Sequence, residues 1–226
     1  MRTGLLVAVL PLAFAFAPLA AQAPKTFSGP ISPVGAVFGA APSLTFGGSG
    51  IPTNAVQQGA YDGAHLYLSA TPRYSSPALS NDGAGTFFAQ TGYSTGGAVN
   101  APLAGWNFDF AVNGEGAVGR YFTLFIDTDK GVGTTTLYGY NIDGSSTPIQ
   151  DSSNLGYGGA PFDATEAGEY TFALYAYSDA GRTAELTHIA INVEVAPVTA
   201  TPEPASLALL GTGLVGIIGF ARRRRA

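Results

Sequence analysis

The chain has 226 residues, with 10 Lys and Arg against 15 Asp and Glu for a formal net charge of −5, and no cysteine. Without thiols there can be no disulfide, no thiol catalysis and no Cys-ligated zinc or iron–sulfur centre. The acidic balance also withholds the basic face that nucleic acid phosphates require, so nucleic acid is excluded as a partner.

Met1-Arg2, an uncharged and mainly apolar run from Leu5 to Leu19, and the patch Ala20-Ala21-Gln22-Ala23 have the layout of a secretory signal peptide over residues 1–23. Ala21-Gln22-Ala23 is the cleavage box, although Pro24 directly after it suits a signal peptidase poorly. With both chain ends assigned to targeting, residues 24–200 form the mature body, long enough for one domain held by its own packing. Of the basic residues, Arg2 and Arg222 to Arg225 lie in the end segments, and of the acidic ones only Glu203 does. The body is left with five against 14, a net charge near −9. It would be repelled by anionic surfaces unless divalent cations bridged them.

Residues 26–43 are rich in Pro, Gly, Ala and Ser and read as a loose lead-in. Beyond them, short aromatic and β-branched runs alternate with clusters of Gly, Asn, Asp, Pro and Ser, which predicts an all-β body. The expected strands are His65–Ala70, Thr86–Gln90, Trp106–Val112, Arg120–Asp127, Thr134–Ile142, Tyr170–Tyr177 and Thr183–Val195. Residues 45–52, 70–77 and 81–85 carry turn chemistry. In Trp106-Asn107-Phe108-Asp109-Phe110 the rings fall on one face and the polar residues on the other. One face is then core and one wet, the pattern of an immunoglobulin-like or jelly-roll type β-sandwich.

Several motifs invite chemistry. Asp127-Thr-Asp129-Lys-Gly131 opens like a calcium loop, with hard carboxylate oxygens at alternate positions, but it lacks the third ligand and the closing glutamate. It reads either as a calcium site at a strand end, helped by Asp143 or Asp151, or as a solvated acidic turn into which Lys130 brings positive charge. The two histidines, His65 and His188, are far apart and sit in strands, which suits packing better than metal ligation. Gly114-Glu-Gly116-Ala-Val-Gly119 matches G-x-G-x-x-G, but a strand follows it, so the phosphate reading fails and a glycine-rich turn is expected. Carboxylate pairs such as Asp127 with Asp129, or Glu166 with Glu169, would be needed by an exported hydrolase, and acidic turns are the commoner source of such pairs. No catalytic residues emerge. Tyr138 and Tyr140 with Tyr175 and Tyr177 are where outward rings could stack on sugars.

The segment Glu166-Ala-Gly168-Glu-Tyr170-Thr-Phe172 resembles the tyrosine corner of immunoglobulin-like domains, with Phe172 where that family has cysteine. The resemblance implies a hydroxyl bonding back to the chain and a ring taking the place of a disulfide. Asp179-Ala180-Gly181 is then the turn before the last strand, with Gly181 free to take a positive φ.

The C-terminal residues 201–226 combine Pro202-Glu203-Pro204, an uncharged and mostly apolar stretch from Ala205 to Ala221, and Arg222, Arg223, Arg224 and Arg225. As a helix the stretch rises roughly 25 Å, slightly short for a hydrocarbon core of about 30 Å. The arginines stop the transmembrane helix and hold the C-terminus on the cytoplasmic side. This end resembles the PEP-CTERM sorting domain of exported bacterial proteins. The resemblance implies an exosortase as partner, signal peptidase before it, and the inner membrane as a transient anchor before release to the cell surface or matrix. The expected function is that of a non-catalytic surface or extracellular-matrix component, associated with exopolysaccharide or biofilm, with a carbohydrate-binding surface module as the alternative and an exported hydrolase as a remote one. No cofactor is implied apart from the calcium considered above.

Overall fold

A computed structural model describes residues 37–40, 55–74, 77–95, 103–131, 137–144, 147–157 and 162–198. These residues form eleven strands and two short 3-10 turns, Glu115–Ala117 and Leu155–Tyr157. The strands are β1 (Val37–Ala40), β2 (Ala55–Tyr61), β3 (Ala64–Pro72), β4 (Ser80–Asn81), β5 (Thr86–Gln90), β6 (Trp106–Asn113), β7 (Tyr121–Asp127), β8 (Leu137–Asp143), β9 (Ile149–Ser153), β10 (Gly168–Tyr177) and β11 (Glu185–Ala196). Each of the seven expected strands has a counterpart, with residues 134–136 of the fifth lying outside the described residues. They make two sheets, one ordered β1-β2-β3-β6-β9 and one ordered β4-β5-β11-β10-β7-β8. Every pairing is antiparallel except β5 with β11, which is parallel.

The sheets pack face to face through alternate side chains. Leu66, Leu68 and Ala70 of β3 and Trp106, Phe108 and Phe110 of β6 meet Phe172 and Leu174 of β10 and Ile189, Ile191 and Val193 of β11 in one buried core. At its centre Phe108 stacks on Phe172 with ring centroids 4.5 Å apart, while Trp106 lies 6.1 Å from Phe172 and 5.9 Å from Tyr170. A ring therefore occupies the inter-sheet contact, as the cysteine-to-phenylalanine exchange implied. Gly59 lets the sheets approach closely, since a Cβ there would sit 2.6 Å from the Ile189 side chain.

The structure corrects four expectations. Val37–Ala40, inside the segment expected to be a loose lead-in, is a strand paired with β2. Residues 70–72, expected in a turn, continue β3. Tyr170 packs by its ring against Trp106 and Phe162, and among the described residues its hydroxyl makes no bond back to the chain. In the β10–β11 turn the positive φ falls on Arg182, at 54°, and not on Gly181. Asp179 explains this, because its Oδ1 accepts from the amides of Thr183 and Ala184 and so fixes the turn one residue later.

The outer face of β6 is also not wet. Asn107 and Asp109 are buried, Asp109 completely, and β6 lies between β3 and β9. Burial pushes the Asp109 carboxyl up to about 7, with the Ser152 and Thr71 hydroxyls acting in the opposite sense and the charge of Asp151 adding to the rise. Neither hydroxyl completes a hydrogen bond to it, for both Asp109 oxygens are without a partner.

Two outcomes follow from this packing. Phe172→Ala removes the ring that joins the sheets and should cost about 3 to 5 kcal/mol, read as a lower urea midpoint at unchanged slope. An Asp109 titrating at about 7 in the native state and near 3.9 in the unfolded chain keeps its proton longer when folded, so stability falls as pH rises between those values and the loss is complete above them. In chelator, wild type should lose up to about 4 kcal/mol on this account between pH 4.5 and 8, and Asp109→Asn should lose that component. Parallel urea curves across the range decide it, and equal pH slopes for both proteins would refute it.

Candidate functional site

The acidic turn after β7 is built from its own backbone. Asp127 ends the strand almost fully buried, and its Oδ1 accepts the amide of Asp129 at 3.0 Å. Asp129 Oδ1 in turn accepts the amide of Gly131 at 2.9 Å. Lys130 reaches across to Glu166 in an ion pair, and the amide of Glu169 donates to the Lys130 carbonyl at 3.3 Å, which ties the turn to the start of β10. Asp143 stands opposite Tyr121 at the far end of β7, about 20 Å of strand from Asp127. Asp151 belongs to β9 in the other sheet. Neither is brought to the turn, and among the described residues no three of His, Asp and Glu gather to hold a metal.

The other motifs resolve into packing. His188 stacks on Tyr175 at 4.5 Å and sets Nδ1 2.7 Å from Glu185 Oε1, whereas His65 lies beside Tyr67 in the opposite sheet. The glycine-rich run holds a single 3-10 turn between β6 and β7. Gly114 has φ 93°, and a Cβ on Gly116 would collide with the Asp62 carbonyl at 1.9 Å, so these glycines admit the β2–β3 hairpin. Glu166 is committed to Lys130, and Glu169 Oε1 accepts from Asn192 at 3.3 Å.

Strand register separates the tyrosines expected to act together. Tyr138 and Tyr140 pair with Ile126 and Leu124 on the core-facing side of the six-stranded sheet. Tyr175 and Tyr177 pair with Thr123 and Tyr121 on its other side, where they are buried with Phe125 and Ala190. Beside Tyr140, a gap of about 20 Å³ lined by Phe108, Phe110, Leu124, Ile126 and Asp151 has room for one water, far below the size of a small-molecule pocket. Burial raises the pKa of both Asp151 and Tyr140 there, and Asp151 raises that of Tyr140 further.

A cluster that the sequence did not reveal lies where β3 ends. The amide of Arg73 donates to the Gly105 carbonyl at 2.8 Å, which fixes the residue just beyond the strand. Its guanidinium sits 4.8 Å from the Tyr74 ring and 5.3 Å from the Tyr157 ring, and Nη2 donates to the Tyr157 hydroxyl at 2.8 Å. Tyr74 is 70% exposed, Tyr157 50% and Arg73 only 7%. Tyr74 adopts φ 50°, a left-handed conformation costly for a non-glycine residue and common at functional positions. Asn154 holds the opposite wall: its Oδ1 accepts the amides of Ala104 and Gly156, and its Nδ2 donates to the carbonyls of Ala104 and Trp106. No carboxylate among the described residues pairs with Arg73, whose Nε is buried without a partner. Arginine followed by tyrosine after a strand was the one local signal, and Tyr157 lies 84 residues away.

Pro202, Glu203, Pro204 and Arg222 to Arg225 lie outside the described residues, as do residues 1–23 and the apolar stretch 205–221. Among the described residues no helix is long and apolar enough to cross a membrane. No curated protein and no solved structure matches the chain. Residues 200–225 match the family model of the PEP-CTERM protein-sorting motif. The chain thus carries the PEP-CTERM sorting motif, which marks it as an exported protein handled by an exosortase.

Proposed function

We propose that this protein is a non-catalytic structural or adhesive component of the outer surface or exopolysaccharide matrix, and the observation that carries the reading is the sorting motif at residues 200–225. A signal peptidase removes residues 1–23, the apolar stretch anchors the chain as a transmembrane helix facing its arginines to the cytoplasm, and exosortase cleavage near Pro202-Glu203-Pro204 releases the body. The body is a sandwich of immunoglobulin-like or jelly-roll type, a reading supported by the two face-to-face sheets and by Trp106 against Tyr170 and Phe172. A non-catalytic role is supported by the commitment of Asp127, Asp129, Glu166 and Glu169 to turn amides, Lys130 and Asn192.

A second reading, a carbohydrate-binding module, is favoured by the two exposed tyrosines flanking Arg73. Tyrosine rings on a rigid base stack on sugar faces at little entropic cost, and an arginine that no carboxylate among the described residues pairs has donors to offer sugar oxygens.

Intact mass and fractionation of the native protein test the first reading. The wild-type chain is expected outside the cell lacking both ends, and a variant with Pro202, Glu203 and Pro204 all changed to alanine is expected in the membrane. A wild-type chain retained in the inner membrane with Arg222 to Arg225 still attached would overturn release by an exosortase. For the second reading, Tyr74→Ala or Tyr157→Ala should weaken binding on a glycan array about three- to tenfold while the chain stays folded by circular dichroism. Binding indifferent to both changes would remove this site.

A further inference from the structure

The outer face of the five-stranded sheet carries a group that neither sorting nor glycan contact employs. Across β3, β6 and β9 the register places Ser69 opposite Asp109 and Asp109 opposite Ser152, with Thr71 opposite Asn107 one step along. Alternate residues share a face, so these five point away from Leu68, Ala70, Phe108 and Phe110. Ser69, Thr71 and Asp109 are completely buried. Ser69 Oγ donates to the Ala55 carbonyl at 2.8 Å, and Asn107 Nδ2 donates to Ser152 Oγ at 3.0 Å. Among the described residues three oxygens are left over: both of Asp109 and Thr71 Oγ1 have no hydrogen-bond partner.

An ionised carboxylate in that position costs several kcal/mol unless a cation or donors meet it. Among the described residues no side-chain cation does so. Arg73 stands opposite Gly105, four residues along β6, about 13 Å of strand away. The charge of Asp151 also acts on Asp109, and it has the same sign.

We propose that Asp109, Thr71, Ser69 and Ser152 form a calcium site on the outer face of the sheet, distinct from the acidic turn at Asp127 and Asp129. The donors are all oxygen, which suits a hard cation and gives no hold to metals that prefer nitrogen or sulfur. Two carboxylate oxygens and three hydroxyls arrive from three strands. Calcium accepts such irregular sets of six to eight ligands, water included, whereas magnesium demands near-octahedral order. With one carboxylate ligated directly, affinity belongs in the range of about 10⁻⁴ to 10⁻³ M, that of extracellular modules.

The test is calcium titration of the full-length chain in detergent, followed by calorimetry and by thermal melting after chelation. One calcium should bind per chain, and at ten times its Kd should raise Tm by about 3 to 5 °C. Asp109→Asn should abolish the shift, Thr71→Val should raise Kd about tenfold, and a double Asp127→Asn, Asp129→Asn variant should respond as wild type. Thr71→Val keeps the test decisive if Asp109→Asn does not fold. A response lost in the double variant but kept in Asp109→Asn would assign calcium to the acidic turn and overturn the proposal. An equal response to magnesium, or no response to calcium at any concentration up to 10 mM, would overturn it as well.

Discussion

The contact between Phe108 and Phe172 is the constraint on which the rest of the molecule depends. An exported chain without cysteine has no covalent link between its sheets, so the two layers are joined only by interdigitated side chains. Phe108 lies on β6 and Phe172 at the centre of β10, and each strand is flanked on both sides within its sheet. Stacked at 4.5 Å with Trp106 against them, these rings fix how the sheets lie on one another. The position of β6 then fixes what its outer face can hold, because the alternation that turns Phe108 inward turns Asp109 outward.

That coupling explains why a polar residue is found where it is costly. Asp109 lies between two aromatic core residues, and a core residue in its place would point the wrong way. A small neutral side chain would serve the packing as well, so packing alone does not account for the carboxylate. Its neighbours are hydroxyl and amide side chains on three strands, with no lysine or arginine opposite Asp109 in the register. Core chemistry on one face and oxygen chemistry on the other share the same eight residues of β6.

The fold was legible where strands bear large side chains on a buried face. Trp106–Asn113 and Gly168–Tyr177 announce themselves through ring alternation, and the turns around residues 81–85 and 179–181 through Asn, Asp and Gly. Besides the two-residue β4, whose Asn81 was expected in a turn, the unrecognised strands were those whose chemistry is mixed. β2 reads Ala-Val-Gln-Gln-Gly-Ala-Tyr and β9 reads Ile-Gln-Asp-Ser-Ser, while β1 is four residues at a sheet edge. Hydrogen bonding to a strong neighbour makes each of them a strand, and that is a property of the neighbour as much as of the segment. Asn107 and Asp109 were misjudged for a related reason: alternation distinguishes two faces but does not reveal whether the polar one is covered.

The Arg73 cluster shows the same limit for a site. In a body near −9, an arginine is expected to find a carboxylate, as Arg120 does with Asp62 at 3.2 Å. Arg73 instead lies under two tyrosines, one adjacent in sequence and the other brought from beyond β9 by Asn154. A surface arginine could reach an acid by rotating its side chain, but this one is held at its amide, its guanidinium and both ring faces. Its charge is therefore oriented before any ligand arrives. Under the proposed glycan-binding reading, a ligand would meet a fixed cation and two flat apolar surfaces together without the cost of ordering a flexible side chain.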